Sequence, residues 1–372
     1  MTPRFTCGLA GLGAADAGRA GGKAAALGEL ARAGIRVPDG YVITAEAFGL
    51  VMDALDPSGA DRGALGDLPA DDLAGIMRAA AQMRMRVAEA PLPPELAAEI
   101  AAGYAELGAG AVAVRSSATA EDSPEASFAG LQDTYLAVRG AAAVLDRVLA
   151  CWASLYNDES VGYRRRQGIG EAGLAVAVVV QRMVSPRAAG VMFTRSPVTG
   201  DRSVVAIEGT WGLGSALVAG EVTPDSFSVS KVTGEITGRR VGTKLRAHSP
   251  GPNGSGISAR PTPPALRGSP CLTDEEARAL AAAGRRVEKH FGAPQDIEWA
   301  LLGYVPADPG ATAGSGGAAG PGEPAPDGDP ADRIVLLQSR PETVWAARER
   351  APVATAAPRA VDHVLARFRK AL

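Results

Sequence analysis

The stretch Val112–Tyr135 reads VAVRSSATAEDSPEASFAGLQDTY. Its apolar beginning predicts a short buried strand, and we expect that strand to end at Arg115, where a polar loop rich in serine, alanine and glycine begins. An arginine at a strand end, followed by small residues that allow close approach to backbone N–H groups, can cradle phosphate oxygens. The alternative is an ordinary surface loop with an ion-paired arginine, which is the more common outcome for an isolated segment.

Composition narrows the class of protein. The chain has 372 residues, enough for about two domains at typical domain sizes. Lys and Arg number 38 against 41 Asp and Glu, for a formal charge of −3, so no basic field indicates nucleic acid. The apolar run Leu174–Val180 is far shorter than the roughly 20 residues of a membrane span. With no basic-then-apolar leader either, we expect a cytoplasmic protein that binds neither nucleic acid nor membrane.

The cysteines and histidines give no sign of a soft metal site. Cys7, Cys151 and Cys271 lie far apart in the sequence, without a C-x-x-C pair or a histidine at ligand spacing. Neither disulfides nor zinc are therefore expected. A metal ion, if one is used, should be a hard cation held by carboxylates and phosphates.

A glycine-rich turn precedes the first predicted helix. Residues 18–33 read GRAGGKAAALGELARA, which places Lys23 at the start of an Ala/Leu helix. A lysine beside the N–H groups of a helix N-terminus suits an anion, although G-G-K lacks the spacing of a P-loop. A solvated surface lysine is the alternative.

The rest of the chain predicts helices first and strands later. Helices are expected at about 71–89, 93–108 and 144–156, and the pattern changes to strands from Leu174. We place a boundary near Gln181–Ser185, which separates an N-terminal subdomain, 1–180, from a C-terminal one, 181–345. A hinge here could offer backbone groups to an adenine edge while Met183 packs on the base. The alternative is a plain strand leaving the core.

Several later segments have clear signals of their own. Residues 247–270 read as a loop, and Thr273 with Glu276 predicts a capping box for a helix to about Phe291. The Gly/Pro/Ala-rich stretch 303–332 is predicted to be a disordered insertion. Residues 346–372 read as a linker followed by a short amphipathic helix.

Two predicted strands flank that insertion and carry polar side chains. Gln295–Leu301 contains DIEWAL, and Arg333–Gln338 leads into QSRPE. If these strands pair, Glu298, Gln338 and Arg340 can converge on one polar spot in an apolar sheet. A carboxylate and an amide oxygen suit Mg²⁺, and the arginine suits the phosphates beside it.

Taken together, the motifs resemble the N-terminal ATP-binding half of phosphoenolpyruvate synthase (pyruvate, water dikinase). The same domain occurs in pyruvate phosphate dikinase and rifampicin phosphotransferase. The resemblance spans about 15–345 and rests on motifs in the family's order: GGKAAALGEL, VRSSATAEDSPEASFAGLQDTY, MFTRSPVTG, WGLGSALVAGEVTPD, DIEWA and LLQSRPETVW. One departure is Ser215, because GLG is often followed by Glu in the relatives.

The resemblance implies an α+β chain with the ATP-grasp fold, whose two subdomains close on Mg·ATP. It also assigns residues. By resemblance the catalytic residues are Lys23, Arg115 and Arg340, the first two holding the phosphates and the third clamping the transferring groups. The implied nucleotide and metal contacts are Thr134 and Thr194 along the phosphates, Gln181 and Met183 near adenine, and Glu298 and Gln338 on Mg²⁺.

Relatives of this kind pass a pyrophosphoryl group from ATP to a histidine, with AMP and phosphate eventually released. Neither His248, His290 nor His363 stands in a Gly-rich setting like that of the family's carrier histidine. We therefore expect an ATP-binding subunit that phosphorylates a histidine on a separate polypeptide, as in split dikinase-type systems. The alternatives are a regulatory nucleotide-binding module without transfer and an inactive detached domain.

Overall fold

The computed structural model describes residues 4–119, 122–123, 126–127, 133–171, 173–251, 254–303, 328–343 and 345. The chain divides into two compact units, 1–342 and 343–372. All four sheets formed by the described residues lie in the first unit, so the fold described below is that of 1–342. The predicted tail, 346–372, lies outside the described residues.

Two antiparallel sheets organise the first unit. The five-stranded sheet has the order β1-β2-β7-β3-β6, and the six-stranded sheet has the order β11-β10-β9-β8-β14-β15. Two small hairpins, β4-β5 and β12-β13, stand beside them. The strands are β1 Thr6–Gly8, β2 Gly40–Ile43, β3 Val112–Ala118, β4 Asp122–Ser123, β5 Ala126–Ser127, β6 Thr134–Val138, β7 Val176–Arg182, β8 Pro186–Phe193, β9 Val204–Trp211, β10 Asp225–Ser230, β11 Ile236–Arg240, β12 Arg246–Pro250, β13 Ile257–Pro261, β14 Gln295–Leu302 and β15 Ile334–Pro341.

Helices precede and flank these strands, which gives the α+β class expected from the sequence. Short 3₁₀ turns occur at Leu9–Gly11, Ala14–Asp16 and Ser154–Tyr156. The α-helices are α1 Ala17–Arg32, α2 Ala45–Leu55, α3 Ala60–Asp67, α4 Leu73–Ala88, α5 Pro94–Glu106, α6 Ala141–Ala153, α7 Asp158–Arg166, α8 Ser215–Val218, α9 Pro264–Arg267, α10 Asp274–Phe291 and α11 Pro330–Arg333. Among the described residues, no helix is both long and apolar enough to cross a membrane. The three cysteines are free.

The five-stranded sheet is buried on both faces, which explains the continuous apolar run of β7. Val176, Val178 and Val180 pack with the helices that include α4, α5 and α6. Ala177 and Val179 face the other way and pack with α1. A strand covered on both sides has no solvent face, so its sequence shows no polar alternation.

The six-stranded sheet packs one face on α10. The capping box predicted from the sequence is present, since the Thr273 side chain accepts from Glu276 N and the Glu276 side chain accepts from Thr273 N. The helix ends at Gly292, which adopts the left-handed conformation that favours glycine. Apolar side chains of α10 meet Ile297 and Trp299 of β14 in the core.

A bulge interrupts the pairing of β14 with β15. Trp299 pairs with Leu336, whereas its neighbour Glu298 pairs with Gln338, so Leu337 is an extra residue in β15. Leu336 belongs to the core on the α10 side. The extra residue therefore shifts the alternation and lets Gln338 share the opposite face with Glu298.

Three sequence-based expectations need correction. The strand that begins at Val112 continues through Arg115 to Ala118, because Ser116 O–H donates to Asp133 O and Ser117 Oγ accepts from Ala24 N. The segment 247–270 is not a loop, since β12 and β13 form an exposed hairpin in which prolines stand at strand ends. Residues 330–333 form α11, which Asp329 caps, and 304–327 lie outside the description.

The sheets divide close to the expected subdomain boundary. Strands up to Arg182 belong to the five-stranded sheet, and β8, which begins at Pro186, is the first strand of the other. The β12-β13 hairpin nevertheless links the two, since Gly256 N donates to Ala137 O and Arg139 Nε donates to Gly254 O. Both sheets accordingly lie within one compact unit.

Candidate functional site

A cavity of about 350 Å³ lies between the two sheets. Its wall is mainly apolar, with a few polar groups at defined places. Such a wall suits a ligand with a flat apolar part and a charged part. The lining residues are Pro38, Ala113, Arg115, Thr134, Leu136, Gln181, Arg182, Met183, Val184, Pro186, Ala189, Gly190, Val191, Leu213, Gly214, Ser215, Val218, Ala219, Ile257, Glu298, Trp299 and Leu337.

Arg115 organises the polar end of this cavity. Its Nη2 lies 2.7 Å from Glu298 Oε2 and 2.5 Å from Gln338 Oε1, and its Nη1 donates to Leu337 O at 2.8 Å. The accepting carbonyl belongs to the bulged residue of β15, which the ladder leaves available. One guanidinium from the first sheet thus binds three groups of the second.

Glu298 is held as a carboxylate. Burial by itself would raise the pKa of Glu298, but the charge and hydrogen bond of Arg115, with the charges of Lys23 and Arg340, hold that pKa below its usual value. Gln338 faces Glu298 directly across the strand pair. A carboxylate beside an amide oxygen is a pair of hard donors suited to Mg²⁺.

Asp296 is a residue that the sequence-based site list lacks. It pairs in register with Arg340, whose Nε lies 3.5 Å from Asp296 Oδ2, so Arg340 stands one step along the strands from Gln338. Burial raises the pKa of Asp296 to about 6, while the charge of Arg340 opposes that rise. Its Oδ1 is buried and has no hydrogen-bond partner among the described residues. The D-x-E spacing could have identified Asp296 as a site residue, because side chains alternate along a strand and Asp296 therefore lies on the same face as Glu298.

Lys23 lies close to this cluster but is not a cavity-lining residue. It is 8% exposed, and its Nζ donates to Ser116 O at 2.5 Å. Gly21, at φ 78° and ψ 158°, interrupts α1 two residues earlier, so the regular helix begins next to Lys23. A Cβ on Gly21 would stand 2.1 Å from Ser117 O. The glycine therefore permits the close contact between α1 and β3 that brings Lys23 to Arg115.

The hinge residues stand at the apolar part of the cavity. Gln181 is 2% exposed, and its Nε2 has no partner within the described part of the chain. Met183 lines the wall, but the backbone N–H groups of Arg182 and Met183 already donate to Asp39 O and Ala111 O. These two N–H groups are therefore already paired, whereas the side-chain amide nitrogen of Gln181 is buried without a partner among the described residues.

The two predicted threonines have different surroundings. Thr134 pairs with Arg115 across β3 and β6, is exposed, and lines the cavity. Thr194 is fully buried, and its Oγ1 accepts from Gln295 N at 2.8 Å. Its methyl group approaches the side of α10 at Gly284, so it lies on the sheet face away from Glu298. Thr194 is thus not among the residues that line the cavity, and its role at the phosphates stays a prediction.

One wall of the cavity comes from a segment to which the sequence assigned no role. Leu213, Gly214, Ser215 and Val218 of the WGLGSALV stretch all line it. The motif itself was visible in the sequence, but nothing there indicated which side chains would face inward.

The match to known proteins agrees with this geometry. The family model described as the pyruvate phosphate dikinase AMP/ATP-binding domain matches residues 17–360. This chain belongs to that family. The match covers every residue of the predicted site and all strands of the two large sheets except β1.

Curated members of the family are longer proteins. A rifampicin phosphotransferase of a Streptomyces species is 45% identical over 304 residues, which is 81% of this chain and 35% of the relative. A probable phosphoenolpyruvate synthase of Methanothermobacter thermautotrophicus is 42% identical over 297 residues, 78% of this chain and 43% of the relative. The phosphoenolpyruvate synthase of Aeropyrum pernix is 37% identical over 359 residues, 88% of this chain and 41% of the relative. The chain spans less than half the length of these relatives.

Proposed function

We propose that this chain is the ATP-binding subunit of a phosphoenolpyruvate synthase-like phosphotransferase. In this proposal the two sheets are ATP-grasp subdomains that close on Mg·ATP, and phosphoryl passes to a histidine on a separate subunit with release of AMP and phosphate. The carrying observation is Arg115, which binds Glu298 and Gln338 at the charged end of an otherwise apolar cavity.

The donor groups are placed for the parts of a nucleotide. Arg115 and Lys23 supply positive charge for phosphates, and the free amide N–H of Gln181 can donate to a ring nitrogen of adenine. Met183 and the aliphatic wall supply the surface for the base. Phosphoryl transfer needs chiefly such positioning and charge stabilisation, with little covalent work by the protein.

The oxygen donors fit Mg²⁺. Glu298 stays ionised, Gln338 presents an amide oxygen opposite it, and Asp296 has a buried oxygen without a partner in the described chain. No group of three or more carboxylate, histidine or cysteine side chains with metal-site geometry occurs among the described residues. Mg²⁺ commonly takes one or two protein carboxylates and completes its shell with phosphates and water. When bound, the ion would neutralise charge on the transferring phosphates.

The histidines support an acceptor on another polypeptide. His248 is 8% exposed and both of its ring nitrogens have hydrogen-bond partners. His290 Nε2 contacts Glu29 Oε2 at the surface of α10. Neither histidine lines the cavity: His248 is buried, and His290 is exposed on α10, which packs on the face of the second sheet away from Glu298. His363 lies outside the described residues.

Two measurements test the proposal. Isothermal titration of the chain should show ATP binding that Mg²⁺ strengthens and EDTA weakens; an inactive domain would show no metal-dependent affinity. With a candidate carrier protein, ATP and Mg²⁺, the expected products are AMP and an acid-labile phosphohistidine on the carrier. Tight Mg·ATP binding without AMP formation with any carrier would instead indicate a regulatory module.

A substitution of Arg340 distinguishes ATP binding from phosphoryl transfer. Its Nε faces Asp296 and its side chain is 38% exposed, so Arg340→Ala should retain ATP binding and lose AMP formation. Arg239→Ala is the matched control, because Arg239 is similarly exposed at 40% and is also paired with an aspartate, away from the cavity lining. It should leave both measurements unchanged.

A further inference from the structure

Three polar side chains form a line from the cavity wall to the protein surface. Ser215 lines the cavity, and its Oγ lies 2.9 Å from His248 Nδ1. His248 Nε2 lies 3.2 Å from Glu221 Oε2. The histidine is 8% exposed, whereas the Glu221 side chain is 42% exposed. The Ser215 hydroxyl is thus fixed by a buried ring that is itself fixed from outside.

With a neutral His248 ring, these contacts determine which atoms carry the protons. A carboxylate only accepts hydrogen bonds, so the contact with Glu221 requires a proton on His248 Nε2. In the neutral ring Nδ1 is then an acceptor, and the Ser215 hydroxyl must donate to it. The lone pairs of Ser215 Oγ remain, so the cavity is presented with an oriented acceptor.

The wall around this acceptor is apolar. Leu213, Val218 and Ile257 line the same side of the cavity, and the backbone N–H of Leu213 already donates to His248 O. An acceptor that projects from an apolar wall selects a ligand atom with a donor hydrogen, because an unpaired polar group there loses hydration without compensation.

We propose that Ser215 is a specificity-determining residue that accepts a hydrogen bond from a ribose hydroxyl of the nucleotide, with His248 as its positioning residue. This inference rests on the proposed ATP site. Phosphates are anionic acceptors that suit Arg115, and ring nitrogens of the base are acceptors that suit the Gln181 amide. The donors that remain in the nucleotide are the sugar hydroxyls and the amino group of adenine, and we assign Ser215 to the sugar.

The test compares nucleotides that differ by one group. Binding of Mg²⁺ complexes of ATP, 2′-deoxy-ATP and 3′-deoxy-ATP is measured by calorimetry on the unmodified chain and on Ser215→Ala. The unmodified chain should bind one of the deoxynucleotides about threefold to tenfold more weakly than ATP, as expected for one neutral hydrogen bond. In Ser215→Ala that ratio should fall to near one. Ser269→Ala, whose hydroxyl donates to Ala265 O away from the cavity lining, should keep the original ratio.

Two substitutions of His248 test its positioning role. Asn places its amide oxygen as many bonds from Cβ as Nδ1, whereas Gln places its amide at the distance of Nε2. His248→Asn should therefore retain an acceptor for Ser215 and most of the discrimination against the deoxynucleotide. His248→Gln should lose that discrimination against the deoxynucleotide, although we expect both variants to bind ATP. Equal discrimination in all three proteins would show that the ring has only a packing role.

The competing donor is the amino group of adenine. If Ser215→Ala changes discrimination against purine riboside triphosphate, which lacks that amino group, and not against the deoxynucleotides, the ribose assignment is overturned. An unchanged deoxynucleotide ratio in Ser215→Ala overturns it as well. These outcomes require that ATP binds; failure of the unmodified chain to bind any of the nucleotides would refute the proposed ATP site itself.

Discussion

The guanidinium of Arg115 and the carboxylate of Glu298 lie 2.7 Å apart, although 183 positions separate them in the chain. Arg115 belongs to the middle of β3 in the first sheet, and Glu298 belongs to β14 in the second. The Arg115 side chain is 9% exposed and that of Glu298 is 36% exposed, so the contact is shielded on one side and open toward the cavity on the other. The charged end of the cavity is therefore assembled by contact between the two sheets.

Replacing Arg115 with Lys should weaken ATP binding. Lysine keeps the charge but cannot donate to Leu337 O, Glu298 and Gln338 from one planar fork. We expect a loss of roughly tenfold to a hundredfold in ATP affinity, the range for one hydrogen bond to a charged group. Calorimetry checks this, with Arg246→Lys as a control at an exposed arginine. Unchanged affinity in Arg115→Lys would remove Arg115 from the phosphate site.

Asp296 should make stability depend on pH in the metal-free protein. Its pKa in the folded protein is about 6, above the usual value of 3.8, so the folded state binds the proton more tightly than the unfolded state. The free energy of unfolding should therefore fall as pH rises from about 4 to about 6 through this group. Above pH 6 the ionised carboxylate remains a constant cost.

Asp296→Asn tests that sign. The Asp296 side chain is 15% exposed, so solvent screens it little. At pH 8 the variant should be more stable than the unmodified protein by about 1–3 kcal/mol, from the size of the pKa shift. At pH 4 most of that advantage should vanish. Urea unfolding at the two pH values, with EDTA present, gives the comparison, and an advantage that grows toward pH 4 contradicts it.

Gly21 should be intolerant of a side chain, unlike its neighbour Gly18. Alanine at 21 would be strained at φ 78° and would meet Ser117 O at 2.1 Å, which forces α1 away from β3. We expect Gly21→Ala to cost about 1–3 kcal/mol or more and to weaken ATP binding as Lys23 moves. Gly18→Ala has open space, and it should be neutral or slightly stabilising. Thermal unfolding and calorimetry distinguish the pair; similar behaviour of both variants argues against the close contact.

A buried ion pair should dominate the stability of the second sheet. Asp225 and Lys244 are both fully buried with 2.5 Å between Oδ1 and Nζ, and Asp225 also accepts from the backbone N–H groups of Gly242 and Cys271. Asp225→Ala leaves a buried ammonium without its partner and should cost about 3–5 kcal/mol. Asp274→Ala, which breaks an exposed pair, should cost about 1 kcal/mol or less. Urea unfolding measures both, and similar losses would show that burial is not decisive here.

Local patterns in the sequence predicted most of the secondary structure. The capping box at Thr273 and the pairing of the DIEWAL strand with the QSRPE strand are both present. These features depend on residues close together in the chain or on strict alternation. Such interactions can be predicted from a single sequence.

The features that the sequence did not predict depend on contacts between residues that are far apart in the chain. Ser116 and Ser117 looked like loop residues, yet bonds to Asp133 and Ala24 satisfy them within a buried strand. Thr194 stands next to a strand end, but Gln295, about a hundred positions away, turns its hydroxyl inward. Likewise, the role of Ser215 depends on His248, which lies in a segment that reads as a loop. The surroundings of these polar residues depend on partners that are distant in the sequence, and the alternation of side chains along a strand cannot identify such partners.

The extra residue, Leu337, determines which face of the sheet each later side chain of β15 occupies. Before it, even-numbered positions such as Leu336 face α10; after it, the odd-numbered Ser339 does so, bonded to Gln295. If the same residues paired without the bulge, Leu337 would stand opposite Glu298, Gln338 and Arg340 would turn into the core, and Ser339 would face the cavity side. The side chains at this site are therefore determined by the bulged register of β15 as well as by the kinds of residues in it.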